Sequence, residues 1–161
     1  MQTSGFVLAF LIFCCTGACA DSYEKGVEEF AAGNYGAAFQ IWELAARGGN
    51  LYAMVNVGSM YLNGRGVARN LREASTWFRS AAIRGNVHAQ HLLADMYFKG
   101  LGVSQDLLAA RVWFGIALAQ GDDSSKAACI EIDKGLTDSE KAQVNQSVEQ
   151  CKTFGFVGCH Y

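Results

Sequence analysis

The sequence repeats itself at a step of 36 residues, and a chain built that way folds as a stack of like units rather than around one irregular core. Gly49, Gly85 and Gly121 stand at that step, as do Asn50, Asn86 and Asp122. Asn34, Asn70 and Asp106 keep the same register, and so do two alanine sets, Ala38, Ala74, Ala110 and Ala45, Ala81, Ala117. Met60-Tyr61, Gly64-x-Gly66-Val67 and Trp77-Phe78 recur as Met96-Tyr97, Gly100-x-Gly102-Val103 and Trp113-Phe114.

Each repeated residue type has a local reason. Asn and Asp side chains accept hydrogen bonds from the free N–H groups that open a helix, and Gly just past a helix takes the left-handed conformation that ends it. The predicted unit is therefore two helices. Asn50 opens the first and Gly64 closes it; Asn70 opens the second, with Glu73 as its capping partner, and Gly85 closes that. Residues 86–121 repeat the order. Trp77, Phe78, Ala81 and Ala82 lie at helical spacing and make a face that only a neighbouring helix can cover.

Shorter variants of the unit flank the two full repeats, 50–85 and 86–121. Gly26, Ala38, Trp42 and Ala45 mark a helix pair over 22–47 that lacks the long glycine loop. After a helix near 122–134, Thr137 and Glu140 form a capping box that starts a last helix near 138–152, amphipathic through Ala142, Val144, Val148 and Cys151. The prediction is an all-α chain of about eight helices in four antiparallel pairs over 21–153, with a C-terminal tail over 154–161.

Ahead of the repeats, Phe6 to Cys15 form an uncharged apolar run followed by small residues through Ala18-Cys19-Ala20, and the first charged side chain is Asp21. That layout predicts a secretory signal peptide over 1–20. The run is short for a membrane span, which needs about 20 apolar residues. Two processing routes fit: cleavage after Ala20, which is favoured, or lipidation at Cys19, since Thr16-Gly17-Ala18-Cys19 resembles a bacterial lipobox. Only lipidation would give the chain a membrane contact. A net charge of −2 supplies no basic field for a phosphate backbone, so nucleic acid is not an expected partner.

The repeat residues resemble those of the Sel1-like family, relatives of tetratricopeptide repeats. Its pattern A-x-x-x-L-G-x-x-Y-x-x-G-x-G-V followed by A-x-x-W-(Y/F)-x-x-A-A-x-x-G-(N/D) is seen as Ala53 to Val67 with Ala74 to Asn86, and as Ala89 to Val103 with Ala110 to Asp122. Ala68 and Ser104 stand where the family often has Pro, and Ala94 where it has a helix-packing Gly. The resemblance implies a bacterial protein with a right-handed solenoid whose concave face binds a protein or peptide, with no cofactor. By tetratricopeptide geometry, the first helix of each pair would point Tyr23, Val27 and Phe30, then Tyr52, Val55 and Ser59, then His88, His91 and Asp95 into that concavity.

Other constellations are weaker. His88 and His91 share a helix face with Asp95 a turn further on, a spacing that could hold a metal, but two groove-wall histidines are the plainer reading. Some cysteine-rich Sel1-like proteins are linked to penicillin-binding or β-lactamase activity, which makes enzyme action the rival function. Ser22-x-x-Lys25 has the spacing for an activated nucleophile, yet no companion Ser-Asp-Asn or Lys-Thr-Gly element exists, so chance explains it better. Trp77-Phe78 and Trp113-Phe114 read as core. Of the cysteines beyond the export segment, Cys129 falls at the core position of Val57 and Leu93 and should stay a buried thiol. Cys151 is expected to pair with Cys159 across the flexible Gly155 to Gly158 segment.

Overall fold

The computed structural model describes residues 15–156. Eight α-helices follow one another in this part: α1 Cys15–Ala31, α2 Tyr35–Arg47, α3 Leu51–Asn63, α4 Leu71–Ala82, α5 Val87–Lys99, α6 Leu107–Ala119, α7 Ser125–Asp133 and α8 Asp138–Phe154. Helices pack as pairs, α1 on α2, α3 on α4 and α5 on α6, and successive pairs join through α2 with α3 and α4 with α5. The chain ends differently, because α7 and α8 each make their main contacts with α6. No helix among the described residues is long and apolar enough to cross a membrane.

Caps form where the repeat puts them. Asn50 accepts from the Ala53 N–H, Asn86 from Ala89, Asp106 from Ala109, and Asn70 from both Arg72 and Glu73. Thr137 and Glu140 exchange hydrogen bonds in a complete capping box. Two expected caps do not form. Asn34 turns its amide to the Glu29 carboxylate at 2.9 Å instead of capping α2. Asp122 spends its carboxylate on Ser124, Ser125 and His91, so α7 starts at Ser125 rather than near 122.

Small residues let the helices approach. Ala38, Ala74 and Ala110 are wholly buried, and beside them Trp42, Phe78 and Phe114, also a repeat step apart, form the aromatic spine of the core. Gly26 and Gly58 make room for that spine: a Cβ on them would lie 2.3 Å from Trp42 Nε1 and 2.6 Å from Phe78 Cε1. Trp113 is fully enclosed, whereas Trp77 is only half-buried. The difference follows from α6 carrying α7 and α8 on its surface while α4 carries no such extra layer.

The glycine loops join one repeat to the one before it. Gly64 caps α3 in the left-handed conformation, and two residues on Gly66, at φ 72°, lies so close to α2 that an added Cβ would fall 2.3 Å from the Tyr35 carbonyl oxygen. Gly102 meets Leu71 at the start of α4 in the same way, at 2.2 Å. Each long loop thus seats on the first turn of the preceding pair's second helix.

Candidate functional site

A groove runs between the first helices of the first two pairs. Val27, Phe30 and Ala31 of α1 form one wall, Asn56, Ser59 and Asn63 of α3 the other, and Trp42 and Met60 the floor, with Arg65 of the glycine loop at one end; the cavity measures about 360 Å³. Aromatic rings in mutual contact shape it. Phe30 sits 4.9 Å from Tyr35 and 5.4 Å from Trp42 between ring centroids, while Tyr23 lies 6.2 Å from Trp42 and 6.1 Å from Tyr52. Trp42 Nε1 donates to the Tyr23 carbonyl at 3.1 Å, which satisfies its one polar group and locks the floor.

Polar atoms line the rim. Asn56 Nδ2 donates to the Tyr23 hydroxyl at 3.5 Å, and Asn63 Nδ2 donates to the Ser59 carbonyl at 2.8 Å. The Arg65 guanidinium stands 6.0 Å over Phe30 and 5.9 Å over Tyr35. Another recess of about 330 Å³ lies one repeat on, between Leu51 and Tyr52 of α3 and Gly85 to His88 at the start of α5.

The expected concave set divides accordingly. Val27, Phe30 and Ser59 line the main groove, with Tyr23 packed behind it; Tyr52, 67% exposed, and His88 line the second recess. Val55 does not face the concavity: it is 6% exposed and part of the core. His91, a repeat step further on, likewise turns toward the next helices, with Nδ1 2.9 Å from Asp122 and from Ser125 Oγ. Both were placed one helical position off. The open stripe of α3 is Tyr52, Asn56, Ser59 and Asn63, and residues at the Val55 position face the neighbouring repeat. Asp95 pairs with Lys99 at 2.7 Å rather than with the histidines. Among the described residues no three His, Cys, Asp or Glu side chains come together as a metal site.

Sequence reasoning missed Asn56, Asn63, Arg65 and Trp42. The signal for the two asparagines was present, since they share the helical stripe of Ser59; Arg65 reaches the groove from a loop, where helical periodicity says nothing. Ser22 and Lys25 lie on α1, the first half-buried and the second exposed, and no strand occurs among the described residues. Cys129 is buried and free, and burial pushes its thiol pKa up. Cys151 is buried and is not free, while Cys159 lies outside the described residues.

Comparison with known proteins agrees with this architecture. The profile of the Sel1 repeat matches residues 17–50, 51–86 and 87–122, so the short first pair also counts as a repeat. No curated protein matches the chain. Among solved structures, a protective antigen of uropathogenic Escherichia coli with an SLR fold superposes with a TM-score of 0.77 at 28% identity over 83% of this chain, which spans 30% of that protein. A Sel1 repeat protein from Oxalobacter formigenes superposes at 0.65 with 29% identity, covering 70% of this chain and 88% of that one. Three matched repeats over most of an eight-helix solenoid establish that the chain belongs to the Sel1 repeat family, whose members generally serve as scaffolds for protein interactions.

Proposed function

We propose that this protein is an adaptor that binds a protein or peptide segment along its concave face, and that it does so outside the cytoplasm. The observation that carries the reading is the groove between α1 and α3. Its floor is apolar, its walls carry amides and a hydroxyl, and packed aromatic rings shape it, the composition expected of a recess that takes a partner's side chains. A solenoid leaves such a surface open because each repeat packs only against its neighbours. Export is supported by the apolar Phe6 to Cys15 run and the small residues before Asp21. Oxidative pairing of Cys151 with Cys159 suits the same compartment.

A photo-crosslinking side chain at Ser59, in the groove, compared with one at Leu44, which is 73% exposed on α2, tests the reading in cells of the source organism. Adducts are expected at Ser59 and not at Leu44. Equal adducts at both positions, or adducts at Leu44 alone, would overturn it.

A further inference from the structure

We infer that the groove between α1 and α3 selects a peptide segment that carries an acidic group beside a large apolar side chain, with the acidic group held by Arg65. The inference rests on the adaptor reading above and names the chemistry of its partner.

Among the described residues Arg65 is the only charged side chain lining the groove, and it has no carboxylate within ion-pair distance. Its guanidinium is nonetheless positioned, lying over the rings of Phe30 and Tyr35. A cation over aromatic rings draws on its charge rather than on its N–H donors, and a guanidinium fork can grip a carboxylate with two parallel hydrogen bonds. The loop that carries Arg65 is itself fixed by the close seat of Gly66 on α2. A held cation at the mouth of an apolar recess is thus ready to receive an anion without further ordering.

The second repeat as a whole is basic. Residues 51–86 contain Arg65, Arg69, Arg72, Arg79 and Arg84 against the single acidic residue Glu73. Because Arg65 stands at one end of the groove and the apolar floor lies beside it, the acidic group and the apolar anchor of a bound segment lie in a fixed order. The apolar anchor goes over Trp42 and Met60, between Val27 and Ser59.

Selection of a displayed library of random short peptides on the full chain tests this. Enriched peptides are expected to pair a large apolar residue with a nearby Asp or Glu. Arg65→Glu should weaken them by about tenfold or more, the loss of a charge-assisted contact, and should favour versions with Lys in place of the acid. Ser59→Arg, which fills the groove, should abolish binding of either version. Peptides lost with Ser59→Arg but indifferent to the charge at residue 65 would overturn the inference and leave the adaptor reading standing. A library that returns no peptide sensitive to Ser59→Arg would overturn both.

Discussion

Asp122 holds His91 across the joint between the third repeat and the C-terminal helices, with a carboxylate oxygen 2.9 Å from the imidazole Nδ1. Ser124 and Ser125 donate their hydroxyls to the same carboxylate, and the imidazole meets Phe114 edge-on at 5.3 Å. Desolvation opposes ionisation of Asp122, but the hydrogen bonds from both serines and from His91 outweigh it and hold the pKa at about 2, below the ordinary 3.8. The folded state thus favours the carboxylate, so the joint contributes stability above pH 4 and loses it as the pH falls toward 2. Asp122→Asn should lower stability at pH 7 by about 1 kcal/mol, after allowance for partial exposure. Urea unfolding of both proteins at pH 7 and again near pH 2 should show that gap closing at the acid end.

The loop seats predict unequal costs for three glycine-to-alanine changes. Gly33→Ala meets no atom within 4 Å and should cost only its positive φ, about 1 kcal/mol. Gly58→Ala drives a methyl into the buried Phe78 ring and should cost about 1–3 kcal/mol. Gly66→Ala combines a left-handed φ with a collision against the Tyr35 carbonyl, so about 3 kcal/mol is expected. Denaturant unfolding that ranked them in any other order would contradict the inter-repeat packing described above.

The helical repeat was legible because its punctuation is local: an Asn cap or a left-handed Gly satisfies backbone groups within one turn of itself. Asn50, Asn70, Asn86 and Asp106 all do as their residue type predicts. Asp122 does not, because two serines and a histidine from another helix compete for its oxygens, and only the fold brings His91 there. The groove was half legible for a similar reason. Periodicity identifies the stripe of a helix but not its rotation, so Val27, Phe30 and Ser59 were found while Val55 was misplaced by one position. Arg65 was invisible, because its role depends on where a loop lands.

Just after α8, Phe156 reaches the body of the solenoid. Phe156 packs against the core, and a Cβ on Gly85 would lie 3.4 Å from its ring, in ordinary contact. The ring covers the α4–α5 turn, next to the Tyr52 and His88 recess. Phe156→Ala should therefore destabilise the chain by about 1–2 kcal/mol, the range for a ring that is only partly buried. Amide exchange should speed up at Gly85 and Asn86 rather than only at the C-terminus.

Cysteine chemistry separates Cys129 from the C-terminal pair. Cys129 is enclosed near Arg111, whose guanidinium grips Asp133 at 2.7 and 3.1 Å, and burial raises its thiol pKa away from the reactive thiolate. Cys151 is buried on α8 and is expected to be joined to Cys159. The protein purified without reductant, with the export segment removed after Ala20, should therefore show no thiol reactive to an aromatic disulfide reagent while folded and one when unfolded in denaturant. Closing so short a loop should contribute about 2–3 kcal/mol, so reduction should lower the urea midpoint without changing the count of buried helices. Cys129→Ala should remove the single thiol that appears on unfolding, and Cys159→Ser should add one. Peptide mapping that linked Cys129 to either partner would overturn the assignment.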